Sequence, residues 1–354
     1  MKQRIAVALS GGVDSAVAAA LLKNQGNEII GVTLRLFKQN SSANSRCSEP
    51  GLGDAKAVAR HLGIPHYVFD VSSEFSKYII GNFASEYLKC RTPNPCVRCN
   101  AYIKFGVLLK KIRSLGADRL ATGHYANIKE TPGGYELSKA RDKTKDQSYF
   151  LYRLKQSQLK NILFPLAGYA KEQVRRLAGK FKLPVADKAD SQEICFLPAG
   201  DYRDFLTAKY AARLIPGRIK DKCGRLLGQH RGLAFYTIGQ REGLGISLGY
   251  PAYVTGLDYG RNELYVGKRQ DACKREFIVS PVYFVLTPVK NKVVLKIRVR
   301  YNQKEQLAVI RPSAKNSLRV TFKNRQFAIT CGQSAVFYKG DTIIGGGVIQ
   351  KVIC

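Results

Sequence analysis

The feature of this chain that most constrains its fold is an apolar segment near the N-terminus that runs into a glycine turn. Residues 5–9 are wholly apolar, and Ser10-Gly11-Gly12-Val13-Asp14-Ser15 follows them directly. A short apolar run bounded by turn residues is typical of a buried strand in a parallel sheet, and the composition of residues 14–23 predicts a helix. The order strand, turn and helix predicts an α/β fold.

Strands and helices continue to alternate beyond this first unit. Apolar patterns predict strands at 28–37, 66–71 and 119–124, and helices at 54–63, 74–88 and 103–115. Such alternation predicts βαβ units and a doubly wound parallel sheet. Ligands of these sheets bind beyond the carboxyl ends of the strands, where the glycine turn, Leu34, Gly123 and His124 fall. Residues 38–53 are polar and contain Gly and Pro, and we expect a linker over this face.

The pattern changes after about residue 200, which predicts three domains. Residues 1–203 are expected to form the α/β domain. Residues 204–276 are rich in Gly and Arg and predict a small mixed or β-rich module. Residues 277–354 contain strand after strand of alternating residues closed by turns, which predicts an antiparallel β-barrel.

The charge of the chain indicates a polyanionic partner. It contains 58 Lys and Arg against 26 Asp and Glu, which gives a formal net charge of +32. Such an excess favours nucleic-acid binding, since counterion release and electrostatic steering both reward it. A general basic bias, or a surface kept charged for solubility, is the alternative.

The cysteines indicate a reducing compartment. Nine cysteines, an odd number, are spread over 354 residues, which is unlike a secreted disulfide framework. No stretch of about 18 consecutive apolar residues occurs, so we expect a cytoplasmic protein with no membrane partner. In that compartment, clustered cysteines are candidates for catalysis, sulfur handling or metal binding.

The glycine turn has the properties of a phosphate site. Gly11 and Gly12 let the backbone approach an anion, Ser10 and Ser15 add hydroxyl groups, and the helix N-terminus presents N–H donors. The sequence is neither a Walker loop nor a G-x-G-x-x-G fingerprint. The alternative is an ordinary turn in which Asp14 and Ser15 only cap the helix. Asp14 is a candidate for holding Mg²⁺, although it could instead only shape the turn.

Six separated sequence blocks carry a resemblance to a known family. The hexapeptide at 10–15 resembles the pyrophosphate loop of ATP pyrophosphatases. The further blocks are Thr92-Pro-Asn-Pro-Cys96-Val-Arg-Cys99-Asn100 with Ile103-Lys104-Phe105, Ala121-Thr-Gly-His-Tyr-Ala126, Lys145-Asp-Gln-Ser-Tyr-Phe-Leu151, Ser191-Gln-Glu-Ile-Cys195-Phe196, and Tyr236-Thr-Ile-Gly-Gln-Arg241. In this order they resemble the tRNA-specific 2-thiouridylase family nearly end to end.

The resemblance implies an enzyme that thiolates tRNA. ATP would adenylate the C2 oxygen of the wobble uridine at position 34, and sulfur from a protein persulfide would then give 2-thiouridine, with release of AMP and pyrophosphate. The implied cofactors are ATP and Mg²⁺. The implied partners are tRNA and a persulfide sulfur donor, either a cysteine desulfurase or a sulfur relay protein.

The resemblance also implies two groups of binding residues. The residues expected to bind ATP are Ala8, Leu9, Ser10, Gly11, Gly12, Val13, Asp14, Ser15, Leu34 and Gly123. The residues expected to contact tRNA are His124, Lys145, Asp146, Gln147, Arg300, Tyr301 and Gln333. Singly, several have plainer interpretations: Arg300 and Tyr301 would end an exposed strand, Lys145 and Asp146 would form a turn, and His124 would be a strand-end histidine.

Two cysteines match the family's catalytic positions. By resemblance, Cys195 carries the persulfide, and Cys99 is the nucleophile that releases the sulfur and ends in a Cys99–Cys195 disulfide. We expect Cys99 to lie beside Arg98 in a Pro-interrupted basic loop, a setting that lowers the pKa of a thiol.

Cys96 adds a second interpretation of the thiols. Cys96 and Cys99 have the spacing of metal ligands, and with Cys195 they could hold a 4Fe-4S cluster. Redox thiols rank first, the cluster second and a zinc site third. Two other functions stay open: an amidating synthetase of the ATP-pyrophosphatase class, for which no glutaminase signature is seen, and a non-catalytic tRNA-binding protein.

Overall fold

The N-terminal part of the chain folds around a parallel five-stranded sheet. The computed structural model describes residues 3–37, 49–190, 194–197, 201–314 and 316–353. The order of the strands is β3-β2-β1-β4-β7, and all four pairings are parallel. The strands are β1 (Arg4–Ala8), β2 (Glu28–Arg35), β3 (His66–Asp70), β4 (Arg119–Ala121) and β7 (Ile162–Leu163). This confirms the predicted doubly wound sheet. From β1 the sheet grows on one side through β2 and β3 and then on the other side through β4 and β7, so the strand order reverses between β1 and β4.

Helices cover this sheet. They are α1 (Val13–Asn24), α2 (Glu49–His61), α3 (Ser72–Phe75), α4 (Gly81–Tyr87), α5 (Pro95–Arg98), α6 (Leu109–Lys111), α7 (Gln156–Leu159), α8 (Lys171–Lys180) and α9 (Tyr202–Tyr210). A π-helical segment, Ser76–Ile80, joins α3 to α4. Another, Cys99–Leu108, joins α5 to α6, and a 3₁₀ turn at Ile112–Leu115 follows.

Two predicted loops are partly helical. The expected linker at 38–53 ends earlier, because α2 begins at residue 49; residues 38–48 lie outside the described residues. The expected basic loop around Cys99 is also wrong, because α5 begins at Pro95. Asn94 explains this start: its Oδ1 atom accepts a hydrogen bond from the Val97 backbone N–H at 3.3 Å, and Pro suits the first helical position.

Helix α1 packs closely on the sheet because its buried side chains are small. Residues 16–20 are each at most 3% exposed and include four alanines. They lie in one cluster with Val7 and Leu9. The close packing holds the N-terminus of α1 at the end of β1.

The middle of the chain forms a separate four-stranded sheet, as the Gly- and Arg-rich composition predicts. Its strand order is β10-β11-β8-β9. The strands are β8 (Gly217–Asp221), β9 (Leu226–His230), β10 (Tyr253–Asp258) and β11 (Glu263–Gly267).

The C-terminal part is a closed six-stranded antiparallel barrel, which confirms the predicted architecture. It closes because β12 pairs with both β15 and β17. The strands are β12 (Cys273–Phe284), β13 (Val293–Arg298), β14 (Gln306–Pro312), β15 (Leu318–Phe327), β16 (Ser334–Lys339) and β17 (Thr342–Ile353).

A hairpin that the sequence analysis missed joins the first and last parts of the chain. It consists of β5 (Ala126–Thr131) and β6 (Gly134–Lys139), and Ser138 pairs with Thr342 of β17. Nearby, Tyr149 donates a hydrogen bond from its hydroxyl to the Ser334 carbonyl at 2.8 Å. The barrel is therefore packed against the α/β part. No helix in the described ranges has both the length and the apolar character needed to cross a bilayer.

The packing at Gly346 predicts a measurable loss of stability on substitution. A Cβ there would lie 2.7 Å from the Ala335 carbonyl oxygen and from the Tyr152 ring. We expect Gly346→Ala to lower the free energy of unfolding by about 1–3 kcal/mol, because neither neighbour is free to move. Urea denaturation followed by tyrosine fluorescence measures the change.

Gly179→Ala provides the control, because Gly179 lies in the last turn of α8 and the new Cβ would meet nothing within 4 Å. It should raise the stability by about 0.5–1 kcal/mol. A Gly346→Ala protein with the parental midpoint would contradict the described interface.

Candidate active site

The glycine turn lies at the point where the strand order reverses. After β1, the backbone N–H of Leu9 donates to the Val32 carbonyl at 2.8 Å, which extends the strand pairing to the turn. Gly11 has a φ of +70°, and a Cβ on it would lie 2.4 Å from the Gly51 carbonyl oxygen. Glycine is required here both by the left-handed backbone and by the close approach.

Hydrogen bonds within the turn leave the start of α1 available for an anion. The Ser15 hydroxyl donates to the Gly12 carbonyl at 2.9 Å and accepts from the Ser10 backbone N–H at 3.2 Å. Gly12 is the N-cap residue, and no side chain caps the helix. The first-turn N–H groups of this 12-residue helix therefore face the turn without a capping acceptor, which is the arrangement that binds phosphate.

Gly123 lies directly against this turn. A Cβ on Gly123 would be 2.7 Å from the Asp14 carbonyl carbon and 2.7 Å from the Ser15 nitrogen. The structure therefore brings together the residues expected at the ends of β1 and β4. Leu9 and Val13 have buried side chains, so only their backbone is available to a ligand. Leu34 is half-buried and packs against the core on the β2 side.

A network of charged side chains surrounds Asp14. Its Oδ1 atom accepts hydrogen bonds from Lys171 Nζ at 2.6 Å and from the Tyr125 hydroxyl at 2.9 Å. Lys171 also contacts Asp190, with 2.8 Å between Nζ and Oδ1. Burial, with the adjacent Asp14 charge and hydrogen bond, raises the pKa of Tyr125, so its hydroxyl stays protonated.

Asp190 connects three cations. Besides Lys171, it contacts Lys145 Nζ at 3.1 Å and Arg175 Nη2 at 3.0 Å. Burial alone would raise the pKa of Asp190, but the hydrogen bonds and charges of Lys171 and Lys145 lower it to about 2. The carboxylate is therefore ionised at neutral and mildly acidic pH. These contacts weaken only as the pH falls from the usual range of Asp toward 2.

Sequence reasoning missed Lys171, Lys188 and Asp190. Lys188 Nζ donates to the Gly11 carbonyl at 3.0 Å and also pairs with Asp54, so a second lysine touches the turn. These residues lie more than 150 positions beyond the glycine motif, and no local pattern distinguishes them from other charged residues. Only the fold brings them to the site.

A second cluster contains Cys96, Lys104 and His124. Part of Cys96 is exposed to solvent. Protein atoms nevertheless surround its thiol, and this burial raises the pKa of the thiol, while the charge of Lys104 acts in the opposite direction. Lys104 Nζ lies 3.5 Å from His124 Nε2. His124 follows β4 directly, so the cluster adjoins the glycine turn.

His124 is neutral in this setting. Burial, and secondly the charge of Lys104, hold the pKa of His124 well below its usual value. Its Nδ1 atom lies 2.7 Å from the Thr122 hydroxyl, and the Phe105 and Phe164 rings lie 5.8 Å away. A neutral imidazole here can accept or donate a hydrogen bond without carrying charge.

The two predicted catalytic cysteines differ in exposure. Cys99 is half-buried at the junction of α5 with the π-helical segment, and Cys195 is exposed. The turn around Cys195 is anchored by Phe196, which packs on Phe83 with ring centroids 5.0 Å apart. Residues 191–193 and 198–200, on either side of this turn, lie outside the described residues.

The thiols do not assemble a metal site. Within the described part of the chain, no three side chains of the His, Cys, Asp and Glu types lie close enough together to hold a metal ion. Cys96, Cys99 and Cys195 all belong to that part. This arrangement does not fit a cluster held by all three thiols.

The residues predicted near Lys145 differ in accessibility. Asp146 is 2% exposed and accepts hydrogen bonds from the Ser148 backbone N–H and hydroxyl. Burial raises the pKa of Asp146, against these hydrogen bonds. The Gln147 side chain accepts from the Tyr125 backbone N–H at 3.0 Å. Asp146 and Gln147 therefore hold the loop in place, whereas the Lys145 ammonium reaches Asp190.

Arg300 and Tyr301 do not end a strand, because β13 stops at Arg298. Arg300 Nη2 donates to the Ile238 carbonyl at 3.0 Å and to the Thr330 hydroxyl at 2.7 Å, so it ties the middle module to the barrel. The Tyr301 ring packs on Phe150, with 4.5 Å between centroids. Gln333 is half-buried, and its carbonyl accepts from the Ile349 N–H.

Three family models match consecutive parts of the chain. The tRNA methyl transferase HUP domain matches residues 3–199, and the tRNA methyl transferase PRC-barrel domain matches residues 203–268. The aminomethyltransferase beta-barrel domain matches residues 274–349.

Curated relatives match over the full length. The tRNA-specific 2-thiouridylase MnmA 1 of Caldanaerobacter subterraneus subsp. tengcongensis is 47% identical over 361 residues, covering 100% of this chain and 99% of the relative. The tRNA-specific 2-thiouridylase MnmA of Carboxydothermus hydrogenoformans is 45% identical, covering 99% and 98%. Among solved structures, a 4-thiouridine synthetase complexed with RNA and ATP has a TM-score of 0.37 and 18% identity, covering 60% of this chain and 50% of that one.

The cluster around Lys104 predicts a change in thiol reactivity. Lys104→Met removes a positive charge that lowers the pKa of Cys96 and of His124. Both pKa values should rise. In iron-free protein, the pH profile for iodoacetamide alkylation of Cys96 should shift to higher pH, because only the thiolate reacts. Mass spectrometry of the alkylated peptide follows this cysteine alone.

Lys110→Met removes the same charge from an exposed position further along the helical segment and should leave the profile unchanged. If Lys104→Met also leaves it unchanged, Lys104 does not act on Cys96.

Proposed function

Because this chain belongs to the tRNA-specific 2-thiouridylase family, we propose that it converts the wobble uridine of tRNA to 2-thiouridine at the expense of ATP. The observation that carries the proposal is the full-length identity of 47% to a protein of that name. The glycine turn supports it, since the turn is intact and lies at the strand-order reversal with an uncapped helix behind it. The net charge of +32 suits a tRNA partner.

The glycine turn would bind the phosphates of ATP. The backbone N–H groups at the start of α1 would receive phosphate oxygens, and Lys171 and Lys188 add positive charge beside them. The uridine O2 atom attacks the α-phosphorus, and the bond from that phosphorus to the pyrophosphate oxygen breaks. The uridine O2 then carries AMP, a far better leaving group than oxide, so that C2 becomes open to attack.

Asp14 is the residue that would hold Mg²⁺ with the phosphates. Magnesium is usually bound in such sites by one or two carboxylates together with substrate phosphates, and Asp14 is the carboxylate in the first turn of α1. The hydrogen bonds from Lys171 and Tyr125 both go to its Oδ1 atom. Magnesium, when bound, would neutralise charge on the leaving pyrophosphate.

Sulfur would arrive as a persulfide on Cys195, whose exposure suits transfer from a donor protein. The Cys99 thiolate attacks the inner sulfur of Cys195, a Cys99–Cys195 disulfide forms, and hydrosulfide leaves. Hydrosulfide attacks C2 of the adenylated uridine and AMP departs. A thiol reductant then returns two electrons and restores both thiols.

The glycine turn provides the first test of this proposal. Asp14→Ala and Ser10→Ala should each lower tRNA-dependent pyrophosphate release by about 100-fold or more, because they remove groups at the transferring phosphate. Their affinity for tRNA should stay near the parental value, since ATP and tRNA phosphates meet different surfaces. Release is measured with purified tRNA, ATP and Mg²⁺.

Asp187→Asn is the control, because Asp187 is exposed and lies beside Lys188 in the sequence. It should release pyrophosphate like the parent. Parental release from Asp14→Ala would show that the turn does not serve adenylation.

The proposed roles of the two cysteines predict an asymmetry. Cys195→Ser should no longer accept labelled persulfide sulfur, whereas Cys99→Ser should accept it but leave the tRNA unthiolated. Cys223→Ser, at an exposed cysteine of the middle module, should behave as the parent in both assays. Sulfur retained on Cys195→Ser at the parental level would rule out Cys195 as the carrier.

A further inference from the structure

A basic cleft of about 470 Å³ lies between residues 82–102, which run from α4 through a connecting loop to α5 and the π-helical segment, and the barrel strands β12 and β17. Its lining contains four basic side chains and one acidic side chain, Glu86. The basic residues are Lys89, Arg91, Arg98 and Arg153. Glu86 is paired with Arg91 at 2.7 Å, so three cations remain without a carboxylate partner in the described lining.

Arg153 is held in a fixed orientation in this cleft. Its Nη2 atom donates to the Tyr102 hydroxyl at 2.9 Å and to the Tyr283 hydroxyl at 2.8 Å. The guanidinium also lies over both rings, 5.0 and 4.4 Å from their centroids. A guanidinium has N–H donors on three nitrogens, and the Nε donor of Arg153 is buried with no acceptor among the residues described.

Arg98 places a second positive charge beside the first. Its guanidinium lies 5.0 Å from the centroid of the same Tyr102 ring, and its Nε atom donates to the Tyr78 carbonyl at 3.1 Å. Burial lowers the pKa of Arg98, Tyr102 opposes this, and the charge of Arg153 lowers it further. Two half-buried like charges repel each other, and an anion between them would relieve the repulsion.

The chemistry favours a phosphate over a base as the occupant. The stacked Tyr78 ring, 5.6 Å away, and the two guanidinium groups already pack against Tyr102, so this ring is not an open platform for a base. A planar guanidinium that the protein holds in a fixed orientation is suited to contact with a phosphodiester.

The cleft borders α5, which ends next to the proposed nucleophile Cys99. Asn94, Val97 and Arg98 line the cleft, and Cys99 follows Arg98 directly in the sequence. On the opposite wall, Gly332 and Ser334 flank Gln333, which the sequence analysis predicts to contact tRNA.

We propose that this cleft binds the phosphodiester of a nucleotide next to the target uridine in the anticodon loop, with Arg153 and Arg98 as its ligands. The proposal rests on the proposed function, because it takes the uridine to lie at the thiols. Binding there would fix the RNA backbone on one side of the reacting base and so orient that base toward Cys99.

The test replaces single phosphates in the RNA. A fluorescent anticodon stem-loop is prepared with one neutral methylphosphonate at a time around the loop, and its affinity is measured by anisotropy. For the parent, replacement at one phosphate adjoining the target uridine should weaken binding about tenfold. Arg153→Gln should weaken binding of the unmodified RNA, and that same replacement should then cost this variant several-fold less than it costs the parent, because only Arg98 still contacts the phosphate.

Two more variants test the cleft independently of Arg153→Gln, and a third variant is the matched control. Arg98→Gln should show the same reduced sensitivity to that replacement, and Tyr283→Phe, which removes only one acceptor of Arg153, should give a smaller loss of affinity. Arg113→Gln removes an exposed arginine at the far end of the same helical segment and should bind as the parent does. If Arg153→Gln and Arg98→Gln keep the parental sensitivity to every methylphosphonate, the cleft does not hold that phosphate.

Thiolation of the same stem-loop separates this inference from the proposed function. If the parent thiolates the RNA, but the parent and Arg153→Gln respond alike to every methylphosphonate, the proposed role of the cleft is wrong and the proposed function stands. A parent that binds the RNA with the expected profile but forms no 2-thiouridine overturns the proposed function alone.

Discussion

The contact between Gly123 and the first turn of α1 determines the geometry of the whole site. Because a Cβ there would lie 2.7 Å from backbone atoms of Asp14 and Ser15, the end of β4 can approach the start of α1 only with glycine. This approach places His124 beside the glycine turn, and through Lys104 it links the proposed phosphate site to Cys96. A side chain at position 123 would separate the proposed adenylation site from the cluster that contains Cys96.

The charges around Asp14 show why the site can hold both cations and anions. Lys171 touches Asp14 and Asp190 at once, so its charge is offset while no phosphate is present. Incoming phosphates would compete with these carboxylates for the same ammonium group. The low pKa of Asp190 keeps the network intact at neutral pH, so the lysines are already placed when ATP arrives and little reorganisation is needed.

The sequence predicts what depends on local pattern and not what depends on distant contacts. The parallel sheet, the glycine turn and the barrel follow from residue periodicity and turn residues, and the structure confirms them. The hairpin β5–β6 pairs locally, but its short strands are largely polar and show no clear alternation, so it was missed; its place beside the barrel comes from pairing with β17, some 200 residues away. The capping of α5 by Asn94 was overlooked, so Cys96 and Cys99 were expected in a loop. Asp146 has an ordinary polar pattern in the sequence, and only the fold shows that it is buried.

The environment of Cys96 helps to explain how Cys96 and Cys99 could have separate roles. Cys96 and Cys99 are three residues apart, and both could in principle attack a persulfide on Cys195. Burial raises the pKa of Cys96, so its thiolate fraction at neutral pH is reduced, and a protonated thiol is a poor nucleophile. This works against an attack by Cys96 on the persulfide and agrees with the proposed role of Cys99.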